Sequence, residues 1–126
     1  EISEGAVTDA KKNCHINRIS NCRFIHGDMM NALSDAAITP DVMIIDPPRA
    51  GVHKKVIKQI IEIAPRRIVY VSCNPATLAR DLCMIKEQYR ILDVQPVDMF
   101  PHTYHVEAVV KLERKPQSLN LRHGQI

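Results

Sequence analysis

Apolar residues along this chain recur in two alternating rhythms, the 3.6-residue period of helices and short β-branched runs. Residues Glu4 to about Asn17 place Ala6, Ala10 and Cys14 on one face with lysines elsewhere, which predicts a surface helix stopped by Asn17. Cys22 to Ile25 predicts a short strand breaking at His26-Gly27-Asp28, and Met29 to Ala37 a weaker helix. Asp41 to Ile45 is apolar on nearly every residue, as a central parallel strand buried on both faces should be. The run Asp46-Pro47-Pro48-Arg49-Ala50-Gly51 ends it, because proline cannot donate to a ladder. Val56, Ile57, Ile60, Ile61 and Ala64 then form an apolar stripe opposite Lys54, Lys55, Lys58 and Glu62, an amphipathic helix closed by Pro65.

The pattern is sharpest from Arg67 to Asp81. Ile68, Val69, Tyr70 and Val71 suit a buried strand, Asn74 is a good N-cap, Pro75 fits the first helical position, and Leu78, Leu82 and Ile85 recur at helical spacing. Cys73 therefore sits at a strand-to-helix turn. The positive end of that helix, with Arg80 nearby, favours the nucleophilic thiolate, although a small buried cysteine at a strand end is the commoner case. Ile91 to Val97 reads as a strand with Pro96 at its end or at an edge. Val106 to Leu112 reads as a last strand with Val106, Ala108, Val110 and Leu112 on one face. The chain divides into a body over residues 1–113 and a mobile tail over 114–126 without periodicity.

Composition changes this picture little. The 126 residues, 45% hydrophobic, suffice for one core. A net charge of +3, with the basic residues dispersed, permits an anionic partner such as RNA without requiring one. Cys14, Cys22, Cys73 and Cys83 form no Cys-x-x-Cys pair and no cysteine/histidine cluster, so neither a metal site nor a disulfide framework is indicated, and a cytoplasmic setting follows. No apolar run reaches bilayer length, so no membrane partner is expected. Strands alternating with helices argue for an open, mostly parallel α/β sheet, whose ligands bind beyond the carboxyl ends of the strands. Asp28, Asp46 and Cys73 each follow a predicted strand directly, so one cleft can hold all three.

Three signatures in order, Asp46-Pro47-Pro48-Arg49-Ala50-Gly51, then Val69-Tyr70-Val71-Ser72-Cys73-Asn74-Pro75-Ala76-Thr77, then Asp98-Met99-Phe100-Pro101-His102-Thr103 with His105 and Glu107, closely resemble those of the RNA uridine-C5 methyltransferases. The resemblance runs from Glu1 to about Glu113. It implies a Rossmann-like S-adenosylmethionine methyltransferase fold and transfer of a methyl group to C5 of a uridine in rRNA or tRNA. Cys73 matches the family's nucleophile, which adds to C6, and Glu107 its base, which removes the C5 proton. Glu1, Asp28 and Asp46 match acids that hold the cofactor, at its ribose, its adenine and its methionine end. Taken alone, Asp28 reads as a helix N-cap and Asp46 as a turn residue. Arg49, Asn74, Thr77 and His102 fall where RNA is met, with Arg80, Thr103 and Tyr104 as further candidates.

One departure qualifies the match. The family's earlier strand with its glycine-rich turn has no counterpart among Gly5, Gly27, Gly51 and Gly124, so the resemblance implies an incomplete domain, a carboxyl-terminal piece of a longer enzyme. The expected consequences are a gapped or exposed sheet edge, self-association through it, and weak or absent turnover by the piece alone. Two other readings compete. A non-catalytic RNA-binding or assembly module would keep the fold without the chemistry. A cysteine phosphatase is less suited, because six residues separate Cys73 from Arg80, one more than its loop uses, and Pro75 removes an amide from any phosphate cradle.

Overall fold

The structure, a computed structural model, describes residues 1–35 and 39–116. Its elements in chain order are α1 (Glu4–Ile16), α2 (Met29–Asp35), β1 (Val42–Ile45), α3 (Lys54–Ile63), β2 (Arg67–Ser72), α4 (Pro75–Ile85), β3 (Tyr89–Val97) and β4 (Glu107–Arg114). The expected end of the second helix at Ala37, and all of the expected tail beyond Pro116, lie outside the described residues. The last strand continues to Arg114, one residue into the segment expected to lack structure.

The helices start and stop as their side chains require. Ser3 caps α1 by accepting from the Ala6 N–H, and Asn74 caps α4 by accepting from the Ala76 N–H, with Pro75 behind it. At the end of α3, Ala64 turns left-handed (φ 52°), since the proline that follows disfavours a helical conformation there.

The four strands form one sheet in the order β1-β2-β4-β3. Only β1 and β2 are parallel, with Ile45 beside Tyr70; β4 runs antiparallel to both β2 and β3. The expectation of a mostly parallel sheet is thus corrected for the described residues. The chain leaves β3 through a hairpin-like loop and returns between β3 and β2, which forces two antiparallel ladders. Leu92 is the extra residue where the β3–β4 register shifts between Ile91 and Asp93.

Two strand expectations also change. Cys22–Ile25 forms no ladder. Its contact is a short one with the chain start: the Glu1 nitrogen donates to Ile25 O (3.1 Å) and the Gly27 N–H to Glu1 O (2.9 Å), the alternation of a single parallel pair. Instead of lying centrally with both faces buried, β1 is an edge strand in which Ile44 is 72% exposed.

One face of the sheet carries the core. Ile68 and Tyr70 from β2 and Ala108, Val110 and Leu112 from β4 pack with Val56, Ile57 and Ile60 of α3 and Leu78 and Ile85 of α4. Period-two alternation in the strands meets the 3.6-residue stripe of each helix there. Tyr89 closes one end of this core and donates from its hydroxyl to Pro65 O at 2.8 Å. Truncating Leu112 to Ala should cost about 2–5 kcal/mol. Ile44→Thr should change stability by less than about 0.5 kcal/mol, because its side chain already faces solvent. Urea unfolding of the two variants measures both.

Candidate functional site

The carboxyl ends of β1 and β2 lie side by side, so the residues that follow them share one edge of the sheet. Asp46 follows β1 and Cys73 follows β2. The turn at Cys73 is closed by Ser72, which is buried: its hydroxyl accepts from the Asn74 N–H (3.1 Å) and lies 3.0 Å from Asn74 O. Cys73 itself is half-buried at the start of α4.

The β2–β4 register then brings in a distant residue. Ser72 pairs with Ala108, so extending the ladder by one step sets Cys73 opposite Glu107, the first residue of β4. Directly opposed residues on antiparallel strands project to the same face, with Cβ atoms roughly 5 Å apart. Glu107 is half-buried and also pairs with Val97, the residue at which the loop from Asp98 to Val106 departs. That loop is pinned by the Thr103 hydroxyl, which donates to Phe100 O (2.8 Å) and accepts from the His105 N–H (3.2 Å). His102 takes a left-handed conformation (φ 74°), the backbone strain that a non-glycine residue carries there. Met99, Phe100 and Tyr104 are all exposed, Tyr104 to 83%.

The three expected cofactor acids come together. Glu1, Asp28 and Asp46 line one cleft of about 1090 Å³, floored by Val7, Ile25, Met30, Met43, Val52 and Val56 among others. Asp28 also performs the capping role its position suggests, accepting from the Met30 N–H at 2.7 Å through one oxygen. Glu1 accepts from the Ser3 N–H at 2.8 Å, and that bond holds its carboxyl below the usual carboxylate range. Cys73 and Glu107 do not line this cleft; counted from β1, Cys73 lies one strand and Glu107 two strands further across the sheet.

The residues expected to meet RNA divide. Arg49 is exposed and its guanidinium makes no hydrogen bond among the described residues, and His102 is exposed on its loop. Asn74 and Thr77 instead reach back to the Arg49 carbonyl: Asn74 Nδ2 donates at 3.3 Å, and the Thr77 hydroxyl lies 3.2 Å from Arg49 O and 3.1 Å from Asn74 O. Arg80, expected beside the sulfur of Cys73, is committed elsewhere. Its Nε and Nη2 both donate to Asp81 Oδ1 (2.9 and 2.7 Å), and Nη2 also donates to Ala50 O at 2.9 Å.

Asp81 is the residue that motif patterns do not reveal. It is fully buried, and its Oδ2 accepts from the Val52 N–H (2.7 Å) and the Tyr70 hydroxyl (2.6 Å). The available signal is an acid at the 3-then-4 spacing of Leu78 and Ile85, on the stripe that faces the core. Gly51 completes the arrangement. It has φ 78°, and a Cβ there would come within 2.6 Å of Arg80 Nη2 and 2.7 Å of Asp81 Oδ2. Burial, and then the bond to Asp81, push the Tyr70 phenol well above its ordinary pKa.

Among the described residues, no helix is long and apolar enough to cross a membrane, and no group of three or more His, Cys, Asp or Glu side chains is placed to hold a metal ion.

A family model described as tRNA (Uracil-5-)-methyltransferase matches residues 28–115. An uncharacterized RNA methyltransferase of Bacteroides thetaiotaomicron is 55% identical over 112 residues, covering 86% of this chain and 25% of that protein. Another, from Caldanaerobacter subterraneus subsp. tengcongensis, is 50% identical over 118 residues, covering 90% and 26%. The chain thus spans about a quarter of the length of these curated relatives. The crystal structure of Pyrococcus abyssi tRNA (uracil-54, C5)-methyltransferase in complex with S-adenosyl-L-homocysteine superposes with a TM-score of 0.78 at 41% identity, over 89% of this chain and 27% of that one. An rRNA methylase from Streptococcus thermophilus, at 14% identity and a TM-score of 0.67 over 92% of this chain and 71% of its own, shares the fold.

Tyr70→Phe should lower stability by about 1–2 kcal/mol, since one buried donor to Asp81 is lost. The pH dependence has a definite sign. The folded phenol is held protonated, so its contribution is full below the unfolded tyrosine value near 10 and is lost as pH rises above it. Denaturation from pH 8 to 11 should show this alkaline loss reduced, though not abolished, in Tyr70→Phe, because burial also raises Tyr89.

Proposed function

The chain belongs to the tRNA (uracil-5-)-methyltransferase family, and from that premise we propose that it is part of the catalytic domain of a longer enzyme that methylates C5 of a uridine in tRNA or rRNA. The single observation that supports this best is the register setting Cys73, at a helix N-terminus, opposite Glu107.

S-adenosylmethionine, when bound, supplies an electrophilic methyl group. The residues present suit it: an apolar cleft with acids along its rim offers packing for adenine and acceptors for ribose hydroxyls and the cationic methionine end. In this reading Glu1 and Asp28 hold the nucleoside end, and Asp46, beside the strand that carries Cys73, faces the reacting end.

The protein's own chemistry begins with sulfur. C5 of uracil is a weak nucleophile, so the Cys73 thiolate adds to C6, forming a C–S bond and moving the ring's electron pair toward C5 and the O4 carbonyl. C5 then takes the methyl group. Glu107 accepts the C5 proton, the C5–C6 double bond re-forms, and the C–S bond breaks to return the thiolate. Arg49 and His102 meet the RNA directly. Asn74 and Thr77 serve it through the Arg49 carbonyl they hold, and Phe100 and Tyr104 offer exposed rings to unstacked bases. A uridine inside a helix presents C6 to no side chain, so the target must swing out toward this edge.

The test uses the enzyme with its upstream sequence and RNA carrying 5-fluorouridine, whose C5 fluorine cannot leave as a proton does. A covalent protein–RNA adduct is expected on a denaturing gel, abolished by Cys73→Ala. With ordinary uridine, Glu107→Gln should slow product release from the adduct by about 10²–10⁴-fold and make the adduct visible. RNA binding unchanged by Cys73→Ala, with no adduct from the parent protein, would instead support a non-catalytic RNA-binding module.

A further inference from the structure

The strongest feature not used by that chemistry is the polar seam between α4 and the turn after β1. Asn74, Thr77, Arg80 and Asp81 line one side of α4, and each bonds to the backbone of residues 49–52. Asn74 and Thr77 take Arg49 O, Arg80 takes Ala50 O, and Asp81 takes the Val52 N–H. Gly51 is pressed into the middle, where no side chain fits. These contacts join the helix that begins after Cys73 to the loop that begins with Asp46.

Resting on the methyl-transfer reading above, we infer that Asp81 is a positioning residue for the reaction. It locks the Asp46–Gly51 loop to α4, so that the cofactor side and the nucleophile side of the site keep a fixed separation. The argument is one of shared atoms. Asp81 Oδ2 is the point where the loop (Val52 N–H) and β2 (Tyr70 hydroxyl) meet, and Oδ1 fixes the guanidinium that binds Ala50 O. A fully buried carboxylate with a donor at each contact has one low-energy arrangement, because any displacement strands a buried charge or a buried amide. Asp81 does not itself line the cleft and makes no hydrogen bond to Cys73; it reaches the cleft only by holding Val52, a lining residue, so its influence runs through position. Two reacting groups carried on separate segments lose rate steeply when they shift, about 10²-fold for 1 Å.

The experiment compares Asp81→Asn and Tyr70→Phe with the parent in the enzyme carrying its upstream sequence, following methyl transfer and amide hydrogen exchange. Asp81→Asn is expected to lower kcat about 10–100-fold with KM for RNA within about twofold, and to speed exchange across residues 49–52. Tyr70→Phe keeps the Val52 and Arg80 contacts, so it should lose stability while kcat stays within about twofold. Should Asp81→Asn fail to fold, Arg80→Gln at its half-exposed position carries the test, with the same kcat-selective loss expected. Unchanged kcat in Asp81→Asn, or in Arg80→Gln where that variant stands in, overturns the inference, as does an equal loss in Tyr70→Phe, which would mark simple destabilisation. Absence of methylation by the parent enzyme overturns the functional reading and this inference together, whereas parent turnover with unchanged kcat in the substituted enzyme overturns the inference alone.

Discussion

A buried carboxylate is expensive unless every lone pair it presents inward finds a donor, and Asp81 finds four: an amide, a phenol and two guanidinium nitrogens. The cost of such a group is also what makes it specific. Apolar contacts between α4 and the sheet tolerate a sliding of tenths of an ångström, but a charge without solvent does not. One side chain thereby fixes three segments that lie far apart in sequence: the turn after β1, strand β2 and helix α4. It also dictates Gly51, since the turn must run close enough to donate from Val52 while leaving no room for a Cβ.

The sheet supplies the rest of the geometry. Residues beyond the carboxyl ends of adjacent parallel strands lie along one edge of the sheet, and this accounts for Asp46 and Cys73 sharing that edge. The cleft with Glu1 and Asp28 opens on the far side of β1, whose outer edge pairs with no strand among the described residues. Ile44 is exposed because it projects from the sheet face opposite the core that Met43 and Ile45 join, whereas an apolar strand of this kind is ordinarily covered on both faces.

Much of this was legible in the sequence, for reasons that are local. Asn74-Pro75 announces a helix start by itself, the stripe from Val56 to Ile61 announces a buried face, and Ile68 to Val71 can hardly be anything but a strand. What was not legible depends on partners. Cys22–Ile25 has the residues of a strand, but a strand exists only by pairing, and among the described residues its backbone receives one hydrogen bond, from the Glu1 nitrogen to Ile25 O. Arg80 has the sign to serve Cys73, but a buried acid one residue away holds it more firmly. That Asp28 and Asp46 share a cleft followed from their places after predicted strands, whereas the position of Glu1 beside them and the approach of β4 to the Cys73 turn were suggested only by the family resemblance. Neither the spacing nor the composition of the chain says which residues two strands will oppose.

The antiparallel course of β4, the point on which the expected sheet was wrong, is also what brings the site together. Glu107 opens β4, and in an antiparallel ladder the start of one strand meets the end of its neighbour, so Glu107 arrives beside the residue that follows Ser72. Had β4 run parallel to β2, its start would lie level with Arg67. Across the six residues of β2, at roughly 3.3 Å each, the carboxylate would stand about 20 Å from the sulfur. No side chain spans that distance. A chain entirely of parallel strands can gather ligand-binding residues that follow strands, as Asp46 and Cys73 do, but not one that precedes a strand. Placing a carboxylate at the head of the last strand therefore requires that strand to be reversed, and inserting it next to β2 instead of at the sheet's edge sets Glu107 against the turn that carries Cys73.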